Sequence, residues 1–96
     1  LTVYFSGMIK LYHHTLSFVL NHVIMIFVFT VAYYYISKFD SKAFTHSLNF
    51  FDAFYYSTTT QSTVGYGDIS PLSVPAKTIA ILQMFSVVGL VMFHLT

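Results

Sequence analysis

Thr63-Val64-Gly65-Tyr66-Gly67-Asp68 is the stretch on which the reading of this chain turns. Glycines at alternate positions let the backbone take left-handed dihedrals at Gly65 and Gly67 with no Cβ penalty. Successive carbonyls can then face the same way. One such strand cannot lie in hydrocarbon, where each unsatisfied carbonyl is costly, so it needs a water- or ion-filled path enclosed by protein. Several copies around an axis would enclose one. A tight glycine turn joining two buried segments is the plainer alternative for the same residues.

The surrounding composition bears on that choice. The chain has 96 residues, of which 56% are hydrophobic and 7% charged, with a formal net charge of +1 and no cysteine. Ordinary globular domains carry roughly 25% charged residues, so this composition calls for a membrane as solvent. The length holds one domain at most. A balance so near neutral, without a basic run, gives no footing for nucleic acid, and the absence of thiols excludes a cysteine metal site. No charged, apolar and small-residue cleavage pattern opens the chain, so its first apolar stretch is expected to remain as a span. Leu1 in place of Met suggests a trimmed start.

Immediately before the strand, Asn49 can cap a helix over Phe50–Gln61, with Asp52 three positions on as a weaker relative of the capping box. At 1.5 Å per residue that helix is roughly 18 Å long, too short to cross a bilayer. It must enter and return. Ser57 to Ser62 is a run of small polar residues, suited to a wet cavity or, equally, to capping the last carbonyls of the helix. Upstream, Ser37 to Leu48 carries Lys38, Asp40 and Lys42 and reads as a loop in water. Leu16 to Ile36 is 21 residues without charge, enough for a spanning outer helix, with Tyr12 at one end and Tyr33, Tyr34 and Tyr35 at the other as interfacial belts. Its polar residues Asn21 and His22 are read as bonding a neighbouring helix. Residues 1–14 place Thr2, Ser6, Lys10 and His13 on one face and apolar residues on the other, the pattern of a separate helix lying in the interface. Gly7 weakens it by about 1 kcal/mol of helix propensity. Downstream, Ile69 to Val74 with Pro71 makes the return turn, Ser73 can cap, and Pro75 to His94 is a second span whose only charge, Lys77, can snorkel.

Thr59 to Asp68, followed by Pro71 and the pair Ala76-Lys77, resembles the two-span potassium channels, and most closely the miniature channels of chloroviruses and other algal viruses. The resemblance implies an all-α membrane protein. Residues 1–14 would be an interfacial helix, 16–36 the outer helix, 37–48 a turret loop, 49–62 a re-entrant pore helix, 63–68 the selectivity filter and 75–94 the inner helix. Three further identical subunits would complete a fourfold homotetramer among membrane lipids, with no organic cofactor and no enzymatic activity. Potassium, the permeant ion, would be held by the carbonyls of Thr63, Val64, Gly65, Tyr66 and Gly67 and by the Thr63 hydroxyl, with Asp68 at the entrance. Tyr55, Thr59 and Ser62 would support the filter. Thr59 stands where some bacterial relatives carry a glutamate, so a hydroxyl bridge from Tyr55 to Asp68 is expected to take over part of the bracing.

By the same resemblance Val88, Val91, His94 and Leu95 belong to the cavity or gate, and Gly89 to a hinge or to close helix packing. Both termini would be cytosolic, in a viral envelope or host membrane. Lys38 and Lys42 in the outer loop against Lys10 inside oppose that orientation, a weak vote from few charges. A nonselective cation channel would share this architecture, and a helical membrane adaptor with a structural glycine strand is the alternative of a different class. The histidines, including His13-His14, show no metal-ligand spacing with acidic partners, and no serine lies in a nucleophile motif.

Overall fold

The computed structural model describes residues Leu1–Thr96 and contains three α-helices: α1 (Thr2–Phe39), α2 (Phe50–Gln61) and α3 (Val74–Leu95). There are no strands beyond one isolated bridge, between Phe44 and Pro71. Helices α1 and α3 are each long and apolar enough to cross a membrane. Helix α2, at 12 residues, is not.

The expected division between an interfacial helix over 1–14 and an outer helix from Leu16 is not there: α1 runs unbroken for 38 residues. The reason is local. Tyr12 to Ser17 contains neither Pro nor Gly, and the propensity loss at Gly7 is too small to end a helix that good formers flank. What changes near Leu16 is packing. Every residue from Leu1 to Ser17 is exposed, whereas Phe18, Asn21, His22, Met25, Ile26, Phe29, Thr30, Tyr33, Ile36 and Ser37 form a buried or half-buried stripe of helical period. At 1.5 Å per residue α1 is roughly 57 Å long, and it sets the long axis of a molecule 59 Å in extent.

Helix α2 opens on a complete capping box. The Asp52 amide donates to Asn49 Oδ1 at 2.7 Å and the Asn49 amide to Asp52 Oδ2 at 3.4 Å. Helix α3 opens on Ser73, whose hydroxyl accepts from the Ala76 amide at 3.2 Å, with Pro75 in the first turn where its missing N–H has no partner to lose.

The hydrophobic core lies at one end of the helices. Tyr33 of α1, Tyr56 of α2 and Phe44 of the intervening loop meet edge to face in all three pairs, with centroids 4.8 to 5.8 Å apart, the geometry that ring quadrupoles favour. Ala53, Ala76 and Ala80 let the helices close on this cluster, and Leu48 and Ile69 complete it. The loop also grips the segment that follows the glycine strand. Thr45 N donates to Ser70 O at 3.1 Å, and Leu72 N donates to Ala43 O at 2.7 Å. Only 16 of 96 residues are buried, too few for a chain this apolar to stand alone in water. The exposed faces of α1 and α3 need lipid or other protein.

Candidate functional site

Residues Ser62 to Asp68 leave the C-terminus of α2 and lie on the outside of the chain, every one exposed. The left-handed dihedrals expected at Gly65 and Gly67 are present, with φ of +54° and +85°. A third, at Thr63 with φ +66°, was not expected, because a β-branched residue rarely adopts that region. Positive φ therefore recurs at alternate residues, 63, 65 and 67. The amides explain how Thr63 is held: Ser62 N donates to Thr58 O at 3.0 Å, Thr63 N to Thr60 O at 3.1 Å and Gly65 N to Thr59 O at 3.1 Å. The strand hangs by the N–H groups of Thr63 and Gly65 from the last carbonyls of α2.

Its own carbonyls are left over. Those of Thr63, Val64, Gly65 and Tyr66 accept no hydrogen bond within the chain, so four consecutive acceptors are free at one surface. The carbonyl of Gly67 differs, since it accepts from Ser70 Oγ at 3.0 Å, and that of Asp68 accepts from Thr45 Oγ1 at 3.3 Å. The far end of the strand is thus pinned to the loop.

Tyr55 donates its hydroxyl to Asp68 Oδ2 at 2.9 Å and stacks on Tyr66, the planes 7° apart with centroids at 6.5 Å. The bond to Asp68, followed by desolvation and the charge of the carboxylate, raises the hydroxyl's pKa above its ordinary value of 10.0. Tyr55 stays a donor. Thr59 and Ser62 turn their hydroxyls not to the strand but to α2, donating to Tyr56 O at 2.9 Å and Thr59 O at 3.3 Å, as Thr58 does to Phe54 O at 2.7 Å. Of these three, only Ser62 bonds one of the last carbonyls of α2, whereas Thr58 and Thr59 back-bond to carbonyls within the helix. Thr59 holds the strand through its main-chain carbonyl.

On α3, Val88, Val91 and Leu95 are exposed along one stripe, and Val88 lines a hollow of about 440 Å³ with Thr60, Thr63, Gly65 and Met84. His94 does not share that stripe. It continues the packed row Ala80, Gln83, Val87 and Leu90 and meets α1, stacked on His14 at 4.2 Å and tilted against Phe18 at 4.3 Å, while His14 Nε2 donates to the His94 carbonyl at 2.9 Å. Helical period turns it toward α1, so within the chain its neighbours differ from those of Val88, Val91 and Leu95. Asn21 borders a small cavity of about 50 Å³ beside the same histidines. A Cβ at Gly89 would meet nothing within 4 Å, so no close approach inside the chain requires that glycine.

Behind the strand lies a polar network that the residue pattern did not reveal. Gln83 of α3 is fully buried; it accepts from the Tyr33 hydroxyl at 2.6 Å and donates to Ser57 O, Ser57 Oγ and Gln61 Oε1 at 3.0 to 3.1 Å. Gln61 continues to His22 Nδ1 at 2.8 Å, so the helix-bonding role expected of His22 is observed. The available signal was an amide in the middle of an uncharged span, since polar side chains at membrane depth are retained for a partner or a function.

A family model described as "Ion channel" matches residues 21–96. The chain belongs to this ion-channel family. Among curated proteins, a hyperpolarization-activated voltage-gated potassium channel of Methanocaldococcus jannaschii is 50% identical to the channel chain over 44 residues, 45% of this chain and 21% of that protein. The match thus spans about a fifth of that relative's length. The channel chain is an all-helical membrane protein with two apolar helices fit to span.

Proposed function

We propose that this chain is the pore subunit of a potassium-selective channel, with residues 63–68 as its selectivity filter and α2 as its re-entrant pore helix. One observation carries the reading: left-handed dihedrals at alternate residues 63, 65 and 67 accompany four consecutive carbonyls with no partner in the chain. Such acceptors can replace the hydration shell of a bare cation. One copy cannot enclose an ion, because Val64 and Tyr66 are 54% and 71% exposed beside those carbonyls. Four copies around an axis would close the path and cover these side chains. The likeness to a potassium channel over 44 residues supports the choice of ion.

Each of the four α2 helices would bring roughly half an elementary negative charge to its C-terminus, favouring a cation in the cavity behind the filter. Thr63, Val64, Gly65 and Tyr66 would ligate potassium through main-chain oxygens, joined by the Thr63 hydroxyl. Gly67 would contribute one lone pair at the mouth, its other being engaged by Ser70, and Asp68, braced by Tyr55, would stand at the entrance. Val88, Val91 and Leu95 would line the inner mouth, where an apolar ring can gate by dewetting. The layout of outer helix, short helix and inner helix favours the miniature algal-virus type, with both termini in the cytosol and three identical subunits and membrane lipids as partners.

The test is a planar bilayer holding the purified chain under a potassium gradient with sodium opposed. The expected result is a single-channel current reversing near the potassium equilibrium potential. Reversal midway between the two ions' potentials would make it a nonselective cation channel, and no current at all would favour an adaptor.

A further inference from the structure

The string of hydrogen bonds from Tyr33 through Gln83 and Gln61 to His22 has a direction, and that direction is dictated from the main chain. Ser57 O can only accept, so the Gln83 atom 3.0 Å from it is the donor Nε2. The Ser57 hydroxyl gives its single proton to Ile26 O at 2.8 Å, so toward Gln83 it too can only accept. Gln83 Oε1 then faces the Tyr33 hydroxyl, which donates. The remaining Nε2 proton of Gln83 lies toward Gln61, whose atom at 3.1 Å must be Oε1, and Gln61 therefore presents Nε2 to His22 Nδ1. Nδ1 must carry a lone pair. The ring proton of His22 sits on Nε2, a buried nitrogen with no hydrogen-bond partner. No amide in the string can reverse unless the next one does, and the Ser57 carbonyl cannot.

We infer that this one-way relay positions the filter, and that Gln83, Gln61 and His22 determine how sharply the pore discriminates between ions. The inference rests on the potassium-channel reading above. The amides of Ser62, Thr63 and Gly65 hang from the carbonyls of Thr58, Thr60 and Thr59, the same turn of α2 that the relay fixes through Ser57 on one side and Gln61 on the other. Gln61 stands two residues before Thr63. Any drift of that turn passes into the carbonyls of Thr63 to Tyr66, which have no other bond in the chain to hold them. Breaking the relay leaves buried polar groups unpartnered, and the turn must shift to satisfy them.

The experiment records single channels of the full chain in planar bilayers with mixed potassium and sodium, so that the amount of assembled protein does not enter the reading. Gln83→Met removes the relay at similar volume. Gln83→Glu keeps the shape but, even as a neutral carboxyl, has one proton where the amide has two and cannot donate to both Ser57 and Gln61, so it is expected to fail alongside the methionine. In both, the sodium-to-potassium permeability ratio is expected to rise about tenfold, equivalent to about 1.4 kcal/mol. His22→Leu removes the last acceptor and is expected to raise the ratio, whereas His22→Asn, which can offer an oxygen at the δ position, should stay nearer the parent. That pair decides the matter if the Gln83 variants yield no channels. Separately, ¹⁵N spectra of histidine-labelled channel, assigned by difference against His22→Asn, should show His22 protonated at Nε2 alone. A ratio unmoved by these changes in a selective parent, or a proton on Nδ1, overturns the relay and leaves the channel reading standing. A parent without selective current sinks both.

Discussion

Replacing Gly65 by Ala isolates backbone conformation from every other property of the strand. A Cβ built on Gly65 meets no heavy atom within 4 Å, so the substitution introduces no clash inside the chain. What it does introduce is a side chain at φ +54°, where an L-residue loses about 1–2 kcal/mol relative to the right-handed region. In the proposed ring of four copies the penalty would fall on every subunit and reach about 4–8 kcal/mol. The strain can be relieved by rotating residue 65 out of the left-handed region, which turns an adjoining carbonyl away from its neighbours. At 1.4 kcal/mol per tenfold, even the lower figure shifts the balance against the aligned arrangement by more than about 500-fold. The expected outcome in a planar bilayer is loss of potassium current, with the protein still assembling. Gly89→Ala serves as the control, because it too meets nothing within 4 Å but lies inside α3 without a positive φ; its filter should discriminate normally. A Gly65→Ala channel with parental conductance and selectivity would refute the claim that left-handed backbone at this residue is what conduction requires.

Tyr55→Phe removes the donor to Asp68 and should speed closures arising at the filter while leaving the reversal potential in place; unchanged dwell times would show that the bond braces nothing. In the parent, the raised Tyr55 pKa means that the folded state holds this proton more tightly than the unfolded chain does. The stabilisation is therefore complete below about pH 10 and is lost as pH rises through the folded value, and the late-titrating part of the tyrosinate absorbance should be smaller by one tyrosine in Tyr55→Phe than in the parent. His94→Ala should lower the thermal stability of detergent-solubilised protein by the equivalent of about 0.5–1.5 kcal/mol, the worth of an aromatic pair, and His94→Phe should recover most of it. Asn49→Ala should cost about 1 kcal/mol through loss of the capping box, read by the same melt, with single-channel selectivity retained.

The elements that were legible in the residues are those whose signals are local. Asn49 and Asp52 mark the start of α2, the polar run to Gln61 its extent, and the alternating glycines two of the three left-handed positions. The course of α1 was less legible because amphipathic and wholly apolar stretches differ in environment, not in backbone, and nothing between Tyr12 and Ser17 interrupts a helix. Thr63 was hidden for another reason. Its intrinsic preference opposes a positive φ, and only the hydrogen bond from its amide to Thr60 O overrides it. The orientation of His94 follows from helical period, yet becomes visible only when Gln83 and Val87 are known to face inward. The relay itself joins residues 22 to 50 positions apart, and a pattern along the chain contains no term for such distances.

The two ways in which this chain handles polar groups at depth explain each other. In the relay, each polar atom from Tyr33 to His22 Nδ1 has a partner, which gives that part of the chain one arrangement. In the strand, the amides of Thr63 and Gly65 are matched and the carbonyls of Thr63 to Tyr66 are not. A row of free acceptors is unstable in hydrocarbon and would relax by rotating peptides toward any donor within reach. Holding the Gly65 amide fixes the peptide plane it shares with the Val64 carbonyl, so that carbonyl cannot turn freely, and the Thr63 amide fixes the plane from which the strand starts. The same argument explains why the support must be rigid at the end of α2 rather than at the strand: a hydrogen bond made directly to a carbonyl would occupy the oxygen that an ion needs, as Ser70 does in part at Gly67. Support delivered through N–H groups, and through a helix turn locked from behind by Gln61 and Gln83, leaves the oxygens free. On this reasoning the amides of Thr63 and Gly65 should be the slowest-exchanging of the strand in hydrogen–deuterium exchange, slower than Val64 and Tyr66. Rapid exchange at Thr63 and Gly65 would mean that the strand is not hung from α2 in the membrane.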